Sequence, residues 1–332
     1  LAATLFPDKD ERAAFVEAVL EGSSRESSII VLEDRPEIRT FPRMGRQAWQ
    51  PEWVHRIADG FRPAKHPLYE KGAYYSMDFS SVFSASGMLA IATPPRRILD
   101  LCSSPGGKAI FAWKLFQPEI LVCNESIRKR EATLIANLER CHIERSMVWS
   151  ADPAVWGRKY PDHFDLVIVD APCSGQSLLA KGGSAPGCFA PDMVDLNVGR
   201  QRRITGHVVH CVRPGGHLLY ITCTYTVKEN EKVVAWLLTE YPELEVVPIS
   251  HLSAFRSTFG EGYRLYPNSG LGAGAYVCLL RKKGEPPEEW PSIDDFRGHW
   301  KYGHVREPRA PKRRPEDHSD EETADVQDAT AS

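Results

Sequence analysis

Long apolar runs, paired cysteines and mononucleotide-binding loops are all missing from this sequence, and each lack narrows what it encodes. No apolar stretch approaches the ~20 residues that a membrane-spanning helix needs, and no basic segment followed by an apolar one opens the chain as a secretory signal would. A cytoplasmic location with no membrane partner is the resulting expectation. The chain begins at Leu1 and not Met, which leaves room for an upstream segment. The eight cysteines stand singly, without the spacing of a zinc site or a disulfide framework, so reduced thiols and no bound metal are expected. Packing is the default reading of Cys102, Cys123, Cys141, Cys211 and Cys278, because free cysteine is among the most buried residue types. Cys188, in a Gly- and Pro-containing loop, is expected to be exposed. No internal repeat is visible.

Basic residues are missing from one place in particular. Between Glu316 and Asp328 lie seven acids and no Lys or Arg, so the formal charge of −3 becomes +4 once that stretch is set aside. A mildly basic body is compatible with a polyanion partner without requiring one. Residues 285–332 read as a charged tail, and the last ~25 are expected to be disordered because they offer too little apolar surface to offset the cost of ordering. The basic cluster Arg306, Arg309, Lys312, Arg313 and Arg314 reads first as a solvated segment.

At 332 residues the chain has room for one large α/β domain and a smaller appendage. Between 96 and 283, strand and helix patterns alternate. Strands are predicted at 97–102, 120–125, 146–152, 164–170, 217–222, 244–249 and 275–281, with helices at 108–116, 127–140, 193–212 and 228–241. Pro214-Gly215-Gly216 reads as the terminator of the third helix. Seven strands interleaved with crossover helices predict a doubly wound, Rossmann-like sheet. Residues 1–75 read as a small N-terminal α+β lobe, with a helix at 11–21 and a strand at 29–32, and 76–284 as the main domain.

Three predicted strand ends carry the chemistry, since open α/β sheets bind ligands at the carboxyl edge. The first opens the turn Cys102-Ser103-Ser104-Pro105-Gly106-Gly107-Lys108, whose small residues and following helix start suit close backbone approach to a ligand. It is neither a Walker A loop, with Ala109 where Ser or Thr would hold magnesium, nor a G-x-G-x-x-G fingerprint. By itself it reads as an ordinary strand-to-helix turn. The next two strands end at Glu125, placed to bind a ribose diol, and Asp152, placed to accept from an adenine amino group. Together these favour an adenosine-containing cofactor, and the missing nucleotide patterns point to S-adenosylmethionine.

Two further strand ends carry thiols, in Asp170-Ala171-Pro172-Cys173-Ser174-Gly175 and Thr222-Cys223-Thr224. Methylating C5 of a pyrimidine requires a thiolate to add at C6, which turns C5 into an enamine-like carbon able to attack a sulfonium methyl. An acid near N3, here Asp170, offsets the charge that develops, and a base then removes the C5 proton before the thiol leaves. Either Cys173 or Cys223 could supply the thiolate.

These two segments, with Tyr225, Glu229-Asn230-Glu231 and the Pro105-Gly106-Gly107-Lys108 turn, closely resemble the Sun/Fmu-type (NOL/NOP/Sun) RNA cytosine-5 methyltransferase family over about 77–280. The resemblance implies a class I methyltransferase sheet, S-adenosylmethionine as cofactor and rRNA or tRNA as partner. It implies Cys223 as the nucleophile, Cys173 as the thiol that assists release of the methylated RNA, Asp170 on the cytosine edge, and Lys108 at the boundary of cofactor and active site. Cys102 to Lys108 would hold the methionine end of the cofactor, Glu125 its ribose and Asp152 its adenine, with Asp170 bordering it. Arg130 matches a basic residue on the helix after Glu125, structural or RNA-facing.

The sequence departs from the family at Ser103-Ser104, where two alanines are usual, at Ala109, in the Gly-rich 176–191, at Tyr266-Pro267-Asn268, and at 272–276. The basic and aromatic residues of the N-terminal lobe (Arg35, Arg39, Arg43, Arg46, Arg56, Arg62 and Lys65 with Trp49, Trp53 and Phe61) can be read as an RNA grip, phosphates on the cations and bases on the rings, or as the lobe's own core. The runner-up function is a non-catalytic RNA-binding assembly factor on the same fold, against which the two thiols and the strand-end acids argue. Oligomeric state leaves no trace, and a monomer is favoured.

Overall fold

The computed structural model describes residues 1–22, 26–286 and 303–305. Strands are β1 Ser27–Val31, β2 Val54–Arg56, β3 Tyr74–Asp78, β4 Arg97–Asp100, β5 Ile120–Asn124, β6 Ser146–Trp149, β7 Phe164–Asp170, β8 Val212–Thr222, β9 Leu244–Val246, β10 Tyr263–Leu265, β11 Ala275–Lys282 and β12 Gly303–Val305. Helices are α1 Ala2–Leu5, α2 Lys9–Glu21, α3 Pro36–Arg39, α4 Pro67–Glu70, α5 Phe79–Ala85, α6 Gly107–Phe116, α7 Arg128–Arg140, α8 Pro153–Lys159, α9 Ser177–Ala180, α10 Pro191–Val208 and α11 Glu231–Glu240. Among these residues no helix is long and apolar enough to cross a membrane, and no group of three or more His, Cys, Asp or Glu is arranged to hold a metal.

The main sheet runs β10-β11-β8-β7-β4-β5-β6-β12, with β9 on the edge of β11. Its centre is parallel, while β11 pairs antiparallel with β8, β9 and β10. The order reverses at β4, whose neighbours are β5 on one side and β7 on the other, and crevices at such switch points hold ligands in doubly wound sheets. All seven predicted strands lie in this sheet, which β10 and β12 extend to nine. β12 falls inside the stretch read as a tail, and the last ~25 residues lie outside the described ones.

Side-chain alternation explains the layers. Ile98, Leu121, Leu166 and Ile168 face one side with Phe83 of α5, Phe111 of α6 and Leu134 of α7; Leu99, Val122, Val167 and Val169 face the other with Trp156 of α8, Ile204 of α10 and Val234 of α11. Period-2 apolar pairs in strands buried on both faces require helices on both sides. One sequence expectation fails here: Pro214-Gly215-Gly216 does not terminate a helix but lies inside β8. The ladder to β7 skips from Phe164 to Leu166, a register shift, and Gly215 takes φ +79, a left-handed conformation that suits glycine.

The N-terminal lobe is a three-stranded antiparallel sheet, order β2-β1-β3. Its third strand spans 74–78, so the boundary placed at 75/76 falls within a strand. Lobe residues Ile30, Trp49, Val54 and Tyr75 share one apolar cluster with Phe79, Phe83 and Phe111 of the main domain. Arg140 at the end of α7 adds a polar tie, donating to the Tyr69 carbonyl at 2.8 Å with its guanidinium 3.8 Å from the Tyr69 ring centroid.

Candidate active site

At the switch point, β4 ends in the fully buried Asp100. Its Oδ2 accepts from Ser103 Oγ at 2.9 Å, whereas Oδ1 has no hydrogen-bond partner among the described residues. Burial pushes this carboxyl up to about 7. The turn that follows is held by three hydrogen bonds to Asn124 and Arg130. Ser103 N donates to the Asn124 carbonyl, Arg130 Nη2 donates to the Ser104 carbonyl at 2.6 Å, and Ser104 Oγ donates to the Arg130 carbonyl at 2.9 Å. The Ser104–Pro105 bond is cis, and Gly106, at φ +109, is the N-cap of α6. Cys102 is half-buried beside Asp100, its thiol raised by burial and then by the Asp100 charge. Arg130 thus serves the turn directly.

Asn124 ties three strand ends together. Its amide donates to the Leu101 and Ala151 carbonyls at 3.0 and 3.1 Å, and its carbonyl accepts from Ala151 N and Trp156 Nε1, both at 3.0 Å. Glu125, next to it, is 3% exposed. One of its oxygens accepts from Ile127 N at 2.8 Å, while Oε2 lacks a hydrogen bond and lies 3.4 Å from Arg130 Nη1. Asp152 lies apart on the exposed rim, where it caps α8 through Ala154 N and pairs with Arg203 at 3.2 Å. Two buried carboxylate oxygens without hydrogen bonds among the described residues, at adjacent strand ends, suit a ligand that presents hydroxyl or ammonium donors, as S-adenosylmethionine does; a phosphate would face two carboxyl groups.

On the other side of the switch point, β7 and β8 run parallel with Asp170 opposite Ile221, so the segments after them emerge side by side. This brings Cys173 Sγ to 3.3 Å from Cys223 Sγ, both thiols half-buried. Lys108, 7% exposed in the first turn of α6, donates to Asp170 Oδ2 at 2.9 Å and so joins the cofactor turn to the thiol segments. The hydrogen bond from Cys173 outweighs burial and the Asp170 charge and, with help from Lys181, holds the Cys223 thiol below its ordinary value, at about 7. That same bond, burial and the Glu229 carboxylate push Cys173 well above it. The two thiols therefore shift in opposite directions, Cys223 toward the thiolate, the nucleophilic form of cysteine, and Cys173 toward the protonated form.

Several residues around the thiols drew no role from sequence. Gln176 is fully buried, donates to the Cys188 carbonyl at 2.9 Å and accepts from Tyr225 N at 2.8 Å. It spans the two thiol segments, and it leaves Cys188 buried, not exposed as its Gly/Pro surroundings suggest. Gln201 of α10 and Glu229 meet beneath the same segments. Glu231 forms a two-point ion pair with Arg264, 2.5 Å at each contact, and Arg264 also donates to the Tyr225 carbonyl at 2.8 Å. The Glu229-Asn230-Glu231 run was the available signal, since three adjacent polar residues before an apolar helix are hard to place without buried partners.

Of the lobe's three candidate rings, Trp49 is core and Trp53 and Phe61 are half-buried. Trp49 is 5% exposed, stacked on Phe79 at 4.8 Å; Trp53 meets Phe111 edge-on at 4.7 Å, and Phe61 packs on Phe41 at 4.7 Å. Arg56 is buried against Glu26 at 3.1 Å, and Arg43 and Arg46 donate to the carbonyls of Ile38 and Gln50. Arg35 and Arg39 form exposed pairs with Glu33 and Asp34. Trp49 is therefore core and not a base-stacking surface, while Trp53 and Phe61 keep part of their surface and Arg62 and Lys65 stand exposed on the lobe.

Comparison with known proteins fits this geometry. Residues 88–281 match the family described as 16S rRNA methyltransferase RsmB/F. The ribosomal RNA small subunit methyltransferase F of Klebsiella pneumoniae (strain 342) is 31% identical over 236 residues, 69% of this chain and 50% of the relative. The protein of the same name from Erwinia tasmaniensis is 32% identical over 241 residues, 71% of this chain and 50% of the relative. The chain thus spans about half the length of these relatives. Among solved structures, NSun6 from Pyrococcus horikoshii with SFG superposes with a TM-score of 0.71 at 15% identity, covering 86% of this chain and 97% of that one. A methyltransferase homologue from the same organism gives 0.70 at 20% identity, covering 85% and 93%. The structural likeness concerns the fold, a Rossmann-like methyltransferase sheet, and the sequence match settles kinship: the chain belongs to the RsmB/F family of 16S rRNA methyltransferases.

Proposed function

We propose that this protein is an S-adenosylmethionine-dependent RNA cytosine-C5 methyltransferase acting on rRNA or tRNA through a covalent adduct between Cys223 and C6. The observation that carries the reading is the thiol pair, 3.3 Å apart, beside an Asp170–Lys108 ion pair at 2.9 Å.

The Cys223 thiolate adds to C6 of the target cytosine, and the C5=C6 electrons move toward N3 and the amino edge, where Asp170 holds the ring. S-adenosylmethionine supplies an electrophilic methyl, which C5 takes. Loss of the C5 proton to a base then restores the double bond as the C6–S bond breaks and its electrons return to Cys223. Cys173, hydrogen-bonded to that sulfur, stabilises the departing thiolate and so assists release. Lys108 keeps Asp170 oriented across the junction of the two halves of the site. Asp100, Glu125 and the turn 102–107, held by Arg130, would bind the cofactor, with Asp152 on the rim.

Transfer of labelled methyl from S-adenosylmethionine to RNA, with 5-methylcytosine mapped in the product, tests this. Cys223→Ala should abolish transfer, and Cys173→Ala should accumulate an RNA–protein adduct that survives denaturing electrophoresis. Full activity in Cys223→Ala would overturn the assignment.

A further inference from the structure

Glu229 has no exposed surface, yet its carboxylate accepts five hydrogen bonds from both thiol-bearing segments and the helix beneath them. Oε2 accepts from Ser174 N at 2.8 Å and Gln201 Nε2 at 2.9 Å. Oε1 accepts from Ser174 Oγ at 2.6 Å, Thr226 Oγ1 at 3.1 Å and Thr224 Oγ1 at 3.3 Å. Ser174 follows Cys173 and Thr224 follows Cys223, so one anion binds the residue after each thiol. Ser174 Oγ also lies 2.8 Å from Thr224 Oγ1, closing the clamp. The contacts are unequal: two short bonds go to the Cys173 side, one of them using the Ser174 amide that could otherwise stabilise a Cys173 thiolate.

We propose that Glu229 is the positioning residue of the thiol pair: it holds the two segments at hydrogen-bond distance and biases their shared proton onto Cys173, leaving Cys223 as the nucleophile. Without such a bias two neighbouring thiols would share one proton evenly, and half of the mono-ionised population would carry the thiolate on the wrong sulfur. The other groups facing the pair are Asp170 after β7, with Lys108 of α6 on it, Lys181 after α9, and the phenols of Tyr220 and Tyr225. Lys181 favours the anion at Cys223, and Glu229 disfavours it at Cys173; the two act in the same direction.

The inference deepens the covalent reading and rests on it only for its catalytic consequence, so its test uses the free enzyme without RNA. Glu229→Gln removes the charge and keeps the shape. The Gln carbonyl can replace Oε2, whose partners are N–H donors, while its NH2 faces three hydroxyls that can turn to accept. Wild type and Glu229→Gln are treated with limiting iodoacetamide at neutral pH, and labelling of each cysteine is read by peptide mass spectrometry, with S-adenosylmethionine affinity as the measure of an intact fold. Cys223 should label at least about tenfold faster than Cys173 in the wild type, and the ratio should fall to within about threefold in the variant, since thiolate fraction governs the rate. Equal labelling in the wild type overturns the proposal by itself, as does an unchanged ratio in a variant that still binds cofactor. Failure of methyl transfer to RNA with the labelling ratio intact would instead count against the function proposed above.

Discussion

Removing one thiol should disarm the other. Cys223 sits at about 7, against an ordinary value of 9.0, chiefly because Cys173 donates to it across 3.3 Å. In Cys173→Ala that donor is gone while burial and the Asp170 carboxylate remain, so the Cys223 thiol should return to 9 or above. At pH 7.5 its thiolate fraction would drop from about three quarters to about three per cent, a loss of roughly 25-fold. The sign follows from the species that reacts. The anion is the nucleophile, so alkylation of Cys223 by iodoacetamide should rise with pH through about 7 in the wild type and only through 9 or above in the variant. Initial rates at each pH, read on the peptide that contains Cys223, supply both curves. The reasoning fails if the two curves coincide. The same experiment carries a consequence for turnover: Cys173→Ala should form its adduct slowly and also release it slowly, so adduct would accumulate over hours and not in a burst.

Two further predictions concern stability. Arg264→Met should cost about 3–5 kcal/mol, because it leaves the buried Glu231 carboxylate without its two-point partner, and Arg264→Met combined with Glu231→Leu should recover most of that loss; urea unfolding of the three proteins decides it, and a single-variant cost below about 1 kcal/mol would sink the argument. Trp49→Ala should cost about 3–5 kcal/mol by emptying a core site, yet leave RNA affinity unchanged at temperatures where the variant stays folded, as measured by thermal unfolding and filter binding; a selective loss of RNA binding would return Trp49 to the RNA surface.

The parallel core was legible in sequence because strands buried on both faces must be apolar without a break, as Ile98-Leu99 and Leu166-Val167-Ile168-Val169 are, and because small residues and acids mark where they stop. Two cysteines after adjacent parallel strands must also emerge together, which topology enforces before any side chain is placed. What stayed hidden depended on partners far along the chain. Trp49 reads equally well as a stacking platform or as core until Phe79 and Phe83, more than 29 residues on, are seen to enclose it. Pro214-Gly215-Gly216 has the composition of a helix stop, and only the shifted register against β7 makes it strand. The three-residue strands β10 and β12 carry too little pattern to stand out, and the Glu229-Asn230-Glu231 run signals buried partners without showing that five donors converge on Glu229.

The shared apolar cluster of lobe and main domain has a mechanical meaning. Gly72 lies so close to α7 that a Cβ there would sit 1.7 Å from the Arg140 carbonyl oxygen, and the Arg140 side chain grips the lobe from the same point. Two parts joined by a hinge could close on a substrate; parts fused through a common interior cannot. The exposed face of the lobe is therefore carried on the same interior as the strands that end at the thiols, at a set distance from Cys223.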